Sequence, residues 1–254
     1  MAAITLQGLS KTYWSRAHPR GLLALDDVSL GVADREFICL LGPSGCGKTT
    51  LLNVLAGLDR DYAGLVSIDG RSLPRNGAHP FRIGYVFQEP RLLPWLTVRK
   101  NLFFALESMR IPRDEWGPRT AAWLSRVELA DFADAHPHEL SGGMQQRASI
   151  ARAFVVDPEI LLMDEPFSGL DELTARGLRE QQLTLWQESR KTVVFVTHSC
   201  FEACIVADRI LILSPRPGSV RHEIMEDLPR PRSYESQRLF ELSVAVTRLV
   251  TGTA

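Results

Sequence analysis

The 254-residue sequence lacks any run approaching the roughly 18 uninterrupted apolar residues of a membrane-spanning helix. It also lacks a charge excess: 29 Lys plus Arg stand against 30 Asp plus Glu, a formal net charge of −1. That balance argues against a dedicated nucleic-acid binder, whose affinity would come from a basic surface facing phosphates. Cysteine is scarce, with four residues and no CxxC pair. Cys39 and Cys46 flank a glycine-rich turn and Cys200 and Cys204 lie four apart in a predicted helix, so they read as small thiols in a reducing compartment rather than zinc ligands. The opening MAAITLQGLSKTYW has no basic-then-apolar leader, and the expectation is a soluble, cytosolic chain. No internal repeat or low-complexity segment is visible. What is present, 45% hydrophobic and 23% charged residues, is enough apolar material for a packed core. The length suits one large domain, or one domain with a sizeable insert.

The first third reads as short strands at Ile4–Leu9, Val28–Val32 and Leu65–Ile68, bounded by Gly and Asp turns. Between them, residues 36–41 form a nearly continuous apolar run, the mark of a strand buried on both faces. It passes into Gly42-Pro-Ser-Gly-Cys-Gly-Lys-Thr-Thr50 and then the helical pattern Leu51–Ala56. From Val98 to about Val127 apolar residues recur at helical spacing, interrupted at Pro112 and at Gly117-Pro118. A further helix is expected from Ser141 to about Val155, with Pro158 beyond its end. Residues of about 90–157 therefore read as a helical insert. Buried strands return at Ile160–Met163, Val193–Val196 and Ile210–Leu213, with helix Glu172–Arg190 joining the first two. Apolar strands alternating with helices imply a mostly parallel, two-side-covered sheet. The Arg/Pro-rich stretches Ser214–Gly218 and Leu228–Arg232 read as turns in a loosely packed tail.

Gly42 to Thr49 fits the nucleotide phosphate-loop pattern, and it stands between strand and helix as that pattern requires. The loop of Gly42, Pro43, Ser44, Gly45, Cys46 and Gly47 would wrap a phosphate chain, its glycines letting successive backbone N–H groups point inward, and the helix N-terminus adds partial positive charge. Lys48 would reach the β- and γ-phosphates and Thr49 would place its hydroxyl on Mg²⁺, with Thr50 completing the cradle. Cys46, at a helix N-terminus, is expected to have a lowered thiol pKa and to block nucleotide binding when alkylated. Hydrolysis needs a metal holder and a group that orients water, and Ile160-Leu-Leu-Met-Asp164-Glu165 ends a buried strand with two carboxylates. Asp164 would address the metal shell and Glu165 the attacking water, as general base.

A phosphate loop alone also allows a GTPase or a small-molecule kinase, but no Asn-Lys-x-Asp segment of the guanine-reading type occurs. Leu140-Ser141-Gly142-Gly143-Met144-Gln145-Gln146-Arg147 resembles the signature sequence of ATP-binding-cassette (ABC) ATPases. The remaining family motifs follow in order: Gln88 in Val86-Phe-Gln-Glu-Pro90 resembles the glutamine loop, Ser168-Gly-Leu-Asp171 the D-loop, and His198 the switch histidine. Tyr13 resembles the aromatic that stacks on adenine, with Trp14 beside it as the other candidate. The resemblance runs from about residue 4 to 228. It implies an α/β fold, a P-loop NTPase (RecA-like) core with an antiparallel β portion and an inserted helical subdomain. The core would span about 4–89 and 158–228, the insert about 90–157, and 229–254 is left as a tail of unread role.

In that family Ser141, Gly142 and Gly143 serve the γ-phosphate held by the other subunit, so the resemblance implies a homodimer with two sandwiched ATPs. Ser141 sits where a helix N-cap should be, with two glycines exposing backbone donors. The resemblance assigns Glu165, His198, Gln88 and Lys48 to catalysis, Asp171 to the nucleotide site, and Thr49, Gln88 and Asp164 to Mg²⁺. Arg91-Leu-Leu-Pro-Trp-Leu-Thr-Val-Arg-Lys-Asn101 resembles the groove that receives a coupling helix from a membrane permease.

The finer resemblance is to the nitrate/sulfonate/taurine importer group, carried by Leu92–Val98, His136–Met144, Val193–His198 and Leu213–Gly218. Phe201 departs from it, standing where an acidic residue is usual after the switch histidine. The implied role is the energy-coupling subunit of a bacterial importer. It would work at the cytoplasmic face of the inner membrane, with permease subunits and, indirectly, an extracytoplasmic solute-binding protein, and no nucleic acid. A soluble ABC ATPase of protein or iron–sulfur cluster assembly is the second reading, and a cassette acting on ribosomes or DNA a third.

Overall fold

Strand β1 (Ile4–Ser15) buries Ile4 and Leu6 and then, one residue out of step, Leu9 and Lys11. The slip coincides with a register shift between Leu6 and Leu9 against the partner strand, because an extra residue in one strand reverses which face follows it. Thereafter Lys11 and Tyr13 share a face. The computed structural model describes residues 3–225 and 227–252. They divide into two compact units, one running through Pro80 and resuming at Lys191, the other Phe81–Arg190.

In the first unit β1 pairs antiparallel with β2 (His18–Val32) in a long hairpin closed at Ser15 and His18. The sequence pattern reads only its far end, since exposed Trp14–Arg20 break the apolar alternation. β3 (Phe37–Leu41) is buried at every position, as the apolar run demands, and passes through the glycine loop into α1 (Lys48–Leu55). β4 (Ala63–Ile68) and the short β5 (Arg71–Ser72) complete an antiparallel sheet in the order β2–β1–β4–β5.

The second unit opens with β6 (Ile83–Val86), a strand too short to announce itself. Then come α2 (Val98–Ser108) and α3 (Arg113–Arg126). The helical pattern breaks before Arg113, as Pro112 predicts, but not at Gly117-Pro118, which lie inside α3. There the proline falls within the opening turns, where it forgoes a single backbone bond. α4 (Gly142–Phe154) packs with α2 and α3 around Leu102, Leu106, Leu124, Ala148 and Ala151, all nearly inaccessible to solvent. β7 (Ile160–Asp164), fully buried, lies parallel to β6, and α5 (Glu172–Ser189) follows.

Back in the first unit come β8 (Thr192–Val196), α6 (Cys200–Val206), β9 (Arg209–Leu213) and β10 (Val220–Met225). β3 is paired in parallel on one side with β8 and on the other with β9, and β10 runs antiparallel along β9. Parallel apolar strands around a glycine loop, a separate antiparallel sheet and a largely helical stretch between β6 and β7 make the expected α/β architecture.

The end of the chain corrects the reading of a loosely packed tail. It forms α7 (Gln237–Thr251), whose Leu239, Ser243 and Val246 are buried, and Arg232 before it is buried too. Prolines and arginines at 228–232 suggested open turns, but those arginines find backbone carbonyls. Among the described residues no helix is long and apolar enough to cross a membrane.

Candidate functional site

The first unit builds an anion cradle. Gly47 takes a left-handed φ of 102° as it enters α1, and a Cβ there would stand 2.6 Å from Leu25 Cδ2 and 2.8 Å from Ala24 O, so only glycine fits. Beneath the loop Gly218 is as constrained: a Cβ would lie 2.0 Å from the Cys46 carbonyl oxygen. The Ser214 hydroxyl shapes that supporting turn, donating to Pro217 O at 2.7 Å and accepting from Ser219 N at 2.9 Å.

The α1 N-terminus has no side-chain cap and no acidic residue in its first turn, so its backbone N–H groups suit an anion. Lys48, buried, folds its ammonium back over the loop and donates to Gly42 O at 2.7 Å and Pro43 O at 3.1 Å. Pro43, Ser44, Gly45 and Thr49 are exposed on the open side, and Thr50 is half-buried. Cradle and cation together fit a polyphosphate.

Cys46 corrects an expectation. Its thiol is fully buried, and burial holds its pKa above the ordinary value although the nearby Lys48 ammonium pulls the other way. Desolvation outweighs the helix terminus.

Tyr13 reaches this loop, its hydroxyl donating to Thr50 Oγ1 at 3.4 Å, whereas neighbouring Trp14 is 69% exposed. Burial raises the Tyr13 pKa. Sequence reasoning missed Lys11, whose buried ammonium stands 4.8 Å from the centre of the Tyr13 ring and is anchored to Asp59 at 2.8 Å. The i, i+2 spacing on a strand was the available signal. His198 follows the end of β8, exposed, at the head of α6, whose N-cap Ser199 accepts from Glu202 N at 3.2 Å.

The second unit gathers the other group. β6 and β7 run in register, Val86 beside Met163, so Gln88, two residues past the end of one strand, and Asp164 and Glu165, at and just past the end of the other, leave at the same edge. Asp164 is buried and Glu165 half-buried. Glu165 has a φ of 44°, a left-handed backbone rare outside glycine, and its carbonyl accepts from both Ser168 N at 3.1 Å and Ser168 Oγ at 3.0 Å. This turn re-aims the second carboxylate away from strand alternation, at a strain of about 1–3 kcal/mol. The carboxylate of Asp164 and the amide oxygen of Gln88 are hard oxygen donors of the kind that Mg²⁺ accepts.

Ser141 caps α4, its hydroxyl accepting from Met144 N at 3.3 Å, and Ser141 and Gly142 are exposed with Gly143 half-buried. Asp171 caps α5, accepting from Thr174 N at 3.0 Å, and that backbone bond lowers its pKa.

Beyond Gln88 lies a cavity of about 300 Å³, lined by Tyr85, Phe87, Leu93, Phe104, Met109 and Arg152 among others. Tyr85 stacks on Phe87 with ring centres 4.0 Å apart. Arg152, from α4, donates to Pro90 O at 2.9 Å and Arg91 O at 2.7 Å, and desolvation lowers its pKa to about 10. Fully buried Asn101, whose role the sequence did not disclose, donates to Leu93 O, Leu96 O and Thr97 O and accepts from Leu93 N. The loop so held leaves Trp95 70% exposed, and Phe104 on α2 is 51% exposed.

The sequence pattern of the ABC transporter family matches residues 25–168, more than half of the chain. A Methanocaldococcus jannaschii protein named as an ABC transporter ATP-binding protein is 47% identical over 218 residues, 86% of this chain and 80% of its own. An aliphatic sulfonates import ATP-binding protein of Bacillus cereus is 38% identical over 240 residues, 94% and 92% of the two chains. One of Burkholderia cenocepacia is 46% identical over 208 residues, 82% and 74%. Among solved structures, a dimeric post-hydrolysis ATP-binding cassette bound to ADP and Pi is similar at a TM-score of 0.76 and 33% identity, covering 91% of this chain and all of that one. A phosphate cradle, a strand-end carboxylate pair and a serine-capped glycine helix, in a chain so related, are the parts of one enzyme class: the chain belongs to the ABC transporter family and is an ABC-type ATPase, an ATP-binding subunit.

Proposed function

We propose that this ATPase energises a bacterial importer of nitrate, a sulfonate, taurine or a related small solute. It works as a homodimer beneath membrane permease subunits, at the cytoplasmic face of the inner membrane. The observation that carries the transport reading is the cavity of about 300 Å³ lined by Tyr85 and Phe87, with solvent-exposed Phe104 on its wall and Trp95 on the adjoining loop. Large exposed aromatics around an apolar hollow mark a partner site, here for a permease segment. The relatives named for sulfonate import support the transport reading over a soluble assembly ATPase.

In this reading Tyr13 stacks on adenine, with Lys11 behind its ring. The loop from Gly42 to Gly47, with Lys48, Thr49 and Thr50, holds the phosphates. Mg²⁺, held by Thr49, Asp164 and Gln88, would supply neutralisation of phosphate charge. Glu165 takes a proton from the attacking water, and His198 steadies the γ-phosphate and the charge that develops on it. Ser141 with Gly142 and Gly143 engages the γ-phosphate of the partner's ATP, and Asp171 fixes the helix beside that contact. ATP then joins two copies in an isologous contact, and loss of the γ-phosphate releases them.

Glu165→Gln tests the chemistry. It should bind ATP with parent affinity, accumulate as an ATP-bound dimer in sedimentation, and lose turnover by about 10²-fold or more. Hydrolysis at the parent rate would remove Glu165 from the base's role. Growth of a deletion strain on sulfonates, taurine or nitrate as sole sulfur or nitrogen source tests the solute class.

A further inference from the structure

Helix α6 begins directly after His198 and its cap, and the last part of the chain grips both of its ends. At the C-terminal end the Arg232 guanidinium, 8% exposed, donates to Cys204 O at 2.8 Å, Ile205 O at 3.4 Å and Ala207 O at 2.6 Å, while its Nε donates to Leu228 O at 3.1 Å. The final carbonyls of a helix have no partner within it, and a cation there also complements the helix dipole. Arg230 donates to Val206 O at 2.6 Å and pairs with Asp208, whose other oxygen accepts from Phe37 N at 2.9 Å. Phe37 opens β3, the strand that leads to the phosphate loop. At the N-terminal end Tyr234 meets Phe201 with ring centres 5.8 Å apart, in the first turn of α6. Between them α7 packs along α6. The aromatic at 201, out of place against the family pattern, is thus the docking point of Tyr234.

We propose that the segment Leu228–Thr251 is a positioning element for His198. Arg232 and Tyr234 set the direction of α6 from its two ends, and so hold the imidazole at the head of that helix where the γ-phosphate must meet it. Arg230, through Asp208, ties the same segment to β3, the strand that leads into the phosphate loop before Lys48. The inference rests on His198 being catalytic, as read above.

The test uses the full chain. Arg232→Gln should lower kcat about tenfold, with the ATP KM and the affinity for a non-hydrolysable ATP analogue held within about twofold, because a displaced catalytic group costs rate rather than binding. Analogue stoichiometry should stay at one per chain, Arg232→Lys should recover part of the rate, and the His198 imidazole NMR signal should shift. Arg238→Gln, which breaks only an exposed ion pair with Asp227, should leave rate and signal unchanged. Tyr234→Ala keeps both arginines and carries the test if Arg232→Gln does not fold; its kcat should fall about threefold. A folded variant with full stoichiometry and parent kcat would overturn the proposal. So would a kcat that falls only in proportion to lost binding sites. His198→Ala separates the two readings: if it keeps parent kcat, His198 is not catalytic, whereas if it loses kcat and the tail variants do not, the positioning role alone fails.

Discussion

Glu165 illustrates what one residue's backbone can do. An aspartate and a glutamate at a strand end would point to opposite faces, and a left-handed turn at Glu165, pinned by Ser168, changes where the second one aims. Cys46 shows the opposite case, in which neighbours suppress a reactive group. Its pKa is raised, so at pH 8 iodoacetamide should label it more slowly than the half-exposed Cys200, and the rate should climb as pH passes the ordinary thiol range toward the thiolate. Peptide mass spectrometry after timed labelling measures both, and rapid labelling of Cys46 at neutral pH would contradict its buried state. Residues named by motif, such as Lys48 and Ser141, were legible because spacing fixes their place. Lys11 and Asn101 were not, since their importance comes from the Tyr13 ring and from backbone carbonyls that sequence distance conceals.

At the scale of elements, caps and close approaches do the positioning. Asp171 holds the start of α5 by accepting from Thr174 N, which lowers its pKa. A carboxylate with a depressed folded pKa adds stability above the pKa it has when unfolded, and loses it as pH falls through the folded value. The Tm of Asp171→Ala should therefore lie below the parent's at pH 6, and the gap should narrow as pH falls below the ordinary carboxylate range. A gap that does not narrow on acidification would show that the charge is not the cause. Gly218 supports the cradle from below, and Gly218→Ala must push against the Cys46 carbonyl 2.0 Å away. The ATP KM should rise about tenfold or more while the chain still folds, and an unchanged KM would show that the turn does not shape the loop. β3, α4 and β7 were legible because an apolar run or a serine cap marks them. β6 is too short for a pattern, and α7 was hidden because arginines that bind carbonyls look like surface residues in a sequence.

For the whole molecule, the claim is that a cassette hydrolyses ATP only as a pair, one copy supplying Lys48 and its loop, the other Ser141 and its glycines. Solved dimeric cassettes are its structural relatives, one of them holding ADP and Pi. The fold and the nucleotide class were legible because phosphate chemistry demands fixed residue types at fixed spacing. The solute of the proposed importer was not, because the residues assigned to ATP are chosen by phosphate geometry. The most direct test mixes two inactive variants, Lys48→Ala and Ser141→Arg. A dimer with one chain of each kind has one site damaged twice and one left intact. Random pairing of equal amounts should therefore restore about a quarter of the parent ATPase rate. If Lys48 and Ser141 instead served one ATP within a single chain, every chain in the mixture would be defective and the rate would stay at the average of the two variants alone.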